Sequence, residues 1–406
     1  MTYMKILWAS PNTLLDTANG AALAVREILK QLQKRGCDIR ILGGTNFVNS
    51  NGTTYFKDSL PKLKDQVGKF IELRDENLIH TTLVTRRLQR RLMLSYEEKL
   101  WFEQYCQLLD DFNPDLVLFF DNSLITLLTA YEARHKGIAV GVYLAHPFNR
   151  GSRWCRDVDF MFTDSNATRE LYRKRENYAL IPIGKFINPA KYRVEQSTRS
   201  NVLFINPSLR KGAVFVIQLA LLMEKKYPNI QFEVVESRSN WETTLKQITG
   251  KLGQERTSLN NVMLTPNTSD MRPVYSRARV LLVPSVWWDS GPRVIVEALL
   301  NGIPVIGSSS GGIPETIDNG GMIIDFPSEY FLPPYDKLFE AEILQIAIDL
   351  IVQLYDDEEF YDTSVKNAYR AHEENHNIEK NADELLQLLG EKLDHFEDKS
   401  ASREYQ

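Results

Sequence analysis

Short apolar runs alternate with helical stretches along this chain, and the alternation breaks once near the middle before it restarts. The first run is Lys5-Ile6-Leu7-Trp8-Ala9. A polar, small-residue stretch follows it. Leu23, Val25, Ile28, Leu29 and Leu32 then recur at helical spacing. Gly36 closes that helix, and residues 38–42 read as the next strand. Strand, loop, helix, strand is how a parallel α/β sheet begins. Residues 115–120, 139–144 and 159–163 read as further buried strands.

The texture changes around 182–200, where Pro182-Ile183-Gly184, Asn188-Pro189 and a polar run look like a linker. Strands are then expected at 202–205, 231–235, 262–264, 280–283, 304–306 and 321–324, with helices at 215–226 and 293–300. The expected domains are 1–182 and 183–375, with a charged helical tail, 376–406, packing back on the first. A length of 406 residues suits two domains, since a domain takes roughly 100–200 residues. Residues 44–80 have weak periodicity and read as an insertion, and 83–110 reads as a long helix or helix pair.

With 48 basic and 53 acidic residues the formal charge is −5, which argues against a general nucleic-acid binder. Cys37, Cys106 and Cys155 form no CxxC pair, so a reduced, cytoplasmic compartment is expected. No secretory signal and no spanning helix is expected.

Residues 283–315, VPSVWWDSGPRVIVEALLNGIPVIGSSSGGIPE, carry the chemistry. A strand ends at Pro284-Ser285, a loop follows, and a helix begins near Arg293. Backbone N–H groups and a helix N-terminus therefore stand at the carboxyl end of a parallel strand, where open α/β sheets bind ligands. Asp289 and Glu297, eight positions apart, are expected to face one cleft. Carboxylates accept hydroxyl hydrogen bonds, so sugar or ribose hydroxyls suit them. The Gly307–Gly312 loop is a second close backbone approach.

Pro-Ser, an acidic residue, seven intervening residues, Glu-Ala, then Gly-x-Pro-Val and Gly-Gly-x-x-Glu resemble the signature of retaining glycosyltransferases of family 4. The resemblance implies a GT-B fold: two Rossmann-like, doubly wound α/β domains facing across a cleft. In that family both carboxylates are usually Glu, and here the first is Asp289. Pro292 stands where one branch has Gly before the matching Arg293. Gly20 falls in the place of a glycine-rich loop near the donor diphosphate, and Lys211 matches a diphosphate-binding lysine. Asn206 takes the place of the family arginine, and Arg210 is the candidate second cation. Glu236 and Arg238 loosely match a nucleotide-base contact.

By that resemblance the chain moves a hexosyl unit from a UDP- or GDP-sugar to a hydroxyl acceptor, with retention, without a metal or other cofactor, in cell-envelope polysaccharide or glycoconjugate synthesis. Asp289 would hold the donor sugar, Glu297 the ribose, and His146 the sugar or acceptor. Lys211, Arg210 and the amides near Gly20, Ser290 and Gly291 would stabilise the departing diphosphate.

Other readings stay open. A non-catalytic nucleotide-sugar binder agrees with the Asp for Glu change and the absent arginine. His372-Glu373-Glu374-Asn375-His376 matches the HExxH zinc pattern but reads as a solvated helix surface. Arg86, Arg87, Arg90 and Arg91 with neighbouring leucines predict a basic helix over 83–94, suited to an anionic membrane and a lipid-linked acceptor. Trp287 and Trp288 are candidates to stack on a sugar or base.

Overall fold

The computed structural model describes residues 4–48, 50–56, 63–120, 123–237 and 239–404. The chain divides into two compact units, residues 1–186 with 378–406, and residues 187–377.

The first unit holds β1 (Lys5–Ala9), β2 (Asp38–Gly44), β3 (Phe70–Asp75), β4 (Leu78–Leu83), β5 (Leu116–Phe119), β6 (Ala139–Leu144), β7 (Phe160–Thr163) and β8 (Leu180–Pro182). They form one sheet in the order β3-β4-β2-β1-β5-β6-β7-β8. Every pairing is parallel except β3 with β4. Side chains alternate across a strand, so β1 sends Ile6 and Trp8 into one apolar cluster and Leu7 and Ala9 into another. Both faces of the sheet are therefore covered. Helix α1 (Gly20–Lys34) starts where the Asn19 side chain accepts from the Ala21 amide. It lays Val25, Ile28, Leu29 and Leu32 on the Trp8 face. The last helix, Ile378–Glu404, adds Ile378, Ala382, Leu385 and Leu389 to the same cluster. Arg35 grips that helix through Glu379 at 2.8 Å and Asp383 at 2.6 Å.

Two expectations need correction here. The expected 44–80 insertion runs instead into the β3–β4 hairpin from Phe70 on, whose register pairs Phe70 with Leu83 and Asp75 with Leu78. The basic helix over 83–94 does not form. Leu83 is spent on β4, paired with Gly44, and Val84 donates to the Lys69 carbonyl. Glu97 then accepts from the amides of Arg86 at 2.6 Å and Leu94 at 2.8 Å, tying both ends of the connection to the first turn of helix Ser95–Phe112. Residues 85–94 thus run as a loop with one short 3-10 turn at Arg90–Leu92. Arg86, Arg87 and Arg91 are exposed on it, with Leu88, Leu92 and Leu94.

The second unit holds β9 (Asn201–Ile205), β10 (Gln231–Val235), β11 (Val262–Thr265), β12 (Ala278–Val283), β13 (Val305–Ser308) and β14 (Gly321–Ile324). All are parallel, in the order β11-β10-β9-β12-β13-β14. Again the strands are apolar on both faces: Val202 and Phe204 meet one cluster and Leu203 the other. Because β9 lies beside β12, and β12 beside β13, the loops leaving these three strands emerge next to one another.

Candidate active site

The three loops are bonded into one structure. Val286 donates to the Arg210 carbonyl at 3.1 Å. The Ser308 hydroxyl reaches the Ser285 carbonyl and the Ser310 hydroxyl the Trp287 carbonyl, each at 2.7 Å. Gly212, at φ +85°, packs so closely that an added Cβ would lie 2.0 Å from the Pro284 carbonyl oxygen. Gly311, at φ +58°, stands in the same way 2.2 Å from the Asp289 carbonyl oxygen. The amide of Gly312 donates to that oxygen at 2.6 Å. A left-handed backbone and these approaches demand glycine.

This frame brings Lys211 to Asp289. The Lys211 Nζ lies 2.7 Å from both carboxylate oxygens, and the Ser285 hydroxyl donates to Oδ2, also at 2.7 Å. Both side chains remain partly exposed, at 31% and 16%, so the pair stays within reach of a ligand. Arg210 lies beside them with its guanidinium 4.2 Å from the centre of the Trp287 ring and 5.8 Å from Tyr335. Trp287 meets Tyr335 edge-on at 5.7 Å. Trp287 is thus engaged with a cation and a second aromatic ring. Asn206 opens the loop after β9 in the left-handed region, at φ +65°. Ser290 is buried and Gly291 half-buried in the loop before helix Arg293–Leu299.

Glu297 is more enclosed. Its carboxylate accepts from the Tyr275 hydroxyl at 2.6 Å on Oε2 and from Arg293 at 3.1 Å on Oε1. Arg293 also donates to the Tyr192 hydroxyl at 2.9 Å. Burial and the adjacent carboxylate push the Tyr275 phenol well above its ordinary range, so it keeps its proton. Burial pulls the Arg293 guanidinium down, but Glu297, Tyr192 and Tyr275 together outweigh it and leave the group raised.

Other candidates lie elsewhere. Glu236 accepts from the Trp241 amide at 2.8 Å and the Asn240 side chain at 3.0 Å, tying down the start of helix Trp241–Lys251. Arg238 lies outside the described residues. Gly20 and His146 belong to the first unit. Gly20 is the first residue of α1. His146 is exposed, packs on Phe148 at 4.7 Å and accepts from the Tyr172 hydroxyl through its carbonyl.

The HExxH reading as a solvated surface is overturned. His372 and His376 are buried, at 4% and 6% exposure, and the His376 Nε2 lies 2.8 Å from the Thr316 carbonyl. Histidines four apart share one helix face, and here that face is turned inward. Among the described residues no group of three or more His, Cys, Asp or Glu side chains is placed to hold a metal ion. No described helix is long and apolar enough to cross a membrane.

Sequence reasoning missed Tyr275 and Tyr192, which lie 22 and 105 positions from Glu297 in no recognisable spacing. It also left Ser285 without a role, although Pro284-Ser285 is part of the signature string.

No curated protein matches the chain. Solved structures do. A glycosyltransferase from Rickettsia africae superposes with a TM-score of 0.69 at 15% identity, covering 97% of this chain and 99% of that one. Sucrose-phosphate synthase from Thermosynechococcus elongatus gives 0.68 at 15% identity, covering 96% and 98%. HepE from Anabaena, in complex with UDP-glucose, gives 0.66 at 16% identity, covering 96% and 100%. These likenesses establish the GT-B glycosyltransferase fold. The family model described as Glycosyl transferases group 1 matches residues 195–384, a span that contains the whole Lys211–Asp289–Glu297 assembly. Residues 195–384 thus match the Glycosyl transferases group 1 family, on a chain with the GT-B glycosyltransferase fold.

Proposed function

We propose that this glycosyltransferase moves a hexosyl unit from a UDP- or GDP-sugar to a hydroxyl acceptor, with retention and without a metal ion. The observation that carries the reading is the convergence of Lys211, Arg210 and Asp289 on adjacent loops at the carboxyl ends of β9 and β12. Nucleotide sugars leave as diphosphates, and developing negative charge is best stabilised by fixed cations in a preorganised site. Lys211 and Arg210 fill that role. Asp289 takes the donor sugar hydroxyls and Glu297 the ribose. UDP-glucose bound to HepE supports a uridine donor.

In the retaining step the bond between the sugar C1 and the diphosphate oxygen breaks, and C1 bonds to the acceptor oxygen on the same face. The acceptor proton passes to the leaving phosphate oxygen, so no protein base is needed. His146 positions the acceptor. The exposed arginines and leucines of residues 86–94 favour a lipid-linked acceptor presented at an anionic, cytoplasmic membrane face.

The test is release of nucleoside diphosphate from UDP-, GDP-, ADP- and TDP-sugars by the purified chain, with and without EDTA, alongside thermal stabilisation by each ligand. EDTA-insensitive turnover with one nucleotide class supports the reading. Binding without turnover would turn it into the non-catalytic reading, which Asn206 in place of an arginine favours.

A further inference from the structure

Glu297 is an acceptor with half of its capacity already assigned. An ionised carboxylate offers about four lone-pair directions. One on Oε2 is taken by the Tyr275 hydroxyl and one on Oε1 by Arg293. The donors are themselves fixed. Tyr275 is fully buried. Arg293 is shared with the Tyr192 hydroxyl, and Tyr192 is held by the Asn301 amide, which donates to the backbone carbonyls of both Tyr192, at 3.0 Å, and Glu297, at 2.8 Å. Two donors on different oxygens stop the carboxylate from turning about its terminal bond, and leave one acceptor direction on each oxygen.

Two fixed oxygens with one unassigned acceptor direction each, on a side chain that is 6% exposed, suit a pair of vicinal hydroxyls. We propose that Tyr275 and Arg293 are positioning residues that present Glu297 as a rigid two-oxygen acceptor for the ribose 2′- and 3′-hydroxyls of the bound nucleotide. This rests on the nucleotide-sugar reading above. Orientation set before binding costs the ligand no ordering, and a site built to accept from a hydroxyl rejects the analogue that lacks it.

The experiment is isothermal titration of the full chain with UDP, GDP and ADP and with their 2′-deoxy counterparts. Wild type, Tyr275→Phe and Tyr192→Phe are compared. Tyr275→Phe removes one oxygen from a buried ring and keeps its volume, and Tyr192→Phe probes the same carboxylate through Arg293. Wild type is expected to prefer the best-bound ribonucleotide over its 2′-deoxy form by about tenfold or more. In Tyr275→Phe the ribonucleotide should lose most of that advantage while the 2′-deoxy affinity stays within about twofold of wild type. Tyr192→Phe should shift in the same direction by less. A merely structural tyrosine would weaken both nucleotides alike or change only the melting temperature, and either result overturns the proposal. Undiminished discrimination in Tyr275→Phe overturns it while leaving the nucleotide reading intact. A wild type that binds none of the nucleotides removes that reading and this one together.

Discussion

The Lys211 ammonium is held 2.7 Å from each oxygen of the Asp289 carboxylate, so the cation expected to meet a diphosphate already has an anionic partner. A diphosphate must compete with Asp289 for it. Partly exposed pairs of this kind are worth only about 0.2–1 kcal/mol, so the competition is mild. Asp289→Asn is expected to tighten binding of the free nucleoside diphosphate by about two- to fivefold while transfer collapses. Titration calorimetry beside a turnover assay separates the two effects. Weaker diphosphate binding in Asp289→Asn would show instead that Asp289 serves to aim Lys211.

Gly311→Ala should damage the site without touching a charged group. The new methyl would meet the Asp289 carbonyl 2.2 Å away, at a backbone φ of +58°. A loss of about 1–3 kcal/mol in stability is expected, with a larger proportional drop in transfer because the displaced residue is Asp289. Chemical unfolding and turnover measured on one preparation would check this. Wild-type turnover in the variant would dissociate the loop from the chemistry.

Glu236 stabilises the start of helix Trp241–Lys251 through the Trp241 amide. Glu236→Ala should cost about 1 kcal/mol, as lost helix caps do. The ranking of UDP, GDP and ADP affinities should not change. A reversal of that ranking would return Glu236 to base recognition.

Buried histidines give each unit a pH dependence. Burial holds His372 down at about 4, helped by His376 and Arg193. Burial likewise holds His80 in the first unit at about 4, against the opposing pull of Asp75. Both are neutral in the folded chain and take a proton below 6.5 once unfolded. The unfolded state then binds more protons, so stability is complete above pH 6.5 and falls as pH drops toward 4. Each site contributes up to about 3 kcal/mol across that window. Urea unfolding at pH 7.5, 6 and 5 should show the loss, and His372→Gln should reduce it for the second unit, leaving the part that belongs to His376, which burial also holds down. An unchanged slope in His372→Gln would place the pH dependence elsewhere.

The 85–94 loop should bind anionic vesicles. Charge near such a surface is worth about 1 kcal/mol per arginine and is screened by salt. Vesicles with a third phosphatidylserine should sediment the chain at low salt, and the Arg86→Glu, Arg87→Glu, Arg91→Glu combination should release it. Equal sedimentation of the combination and wild type would leave this loop without a lipid role.

Most strands were legible because a strand buried on both faces is a short unbroken apolar run, and β6 falls on its expected residues 139–144. β3 and β4 were not: Phe-Ile-Glu-Leu-Arg-Asp at the sheet edge and Leu-Ile-His-Thr-Thr-Leu beside it carry polar residues that blur the signal. The 83–94 leucines imitated a helix because periodicity cannot show that Glu97 ties the segment back on itself. The acidic pair and Lys211 were legible as a signature string. Their pairing was not: Lys211 and Asp289 stand 78 positions apart and meet only because β9 and β12 are neighbours. His372 and His376 misled for a local reason. Glu373 between them is 64% exposed, and a polar string read in one dimension hides that its histidines turn the other way.

The helix Ile378–Glu404 makes the first unit discontinuous in time as well as in sequence. Leu385 and Leu389 sit against Ile28 and Leu32, yet the ribosome reaches them after every residue of the second unit. Domains generally fold as they emerge, so residues 187–377 have all of their own sheet before the first unit has all of its core. Until then α1 must wait with Val25, Ile28 and Leu32 uncovered. Nascent chains stalled before Ile378 would carry that apolar face into the cell as a chaperone-binding surface.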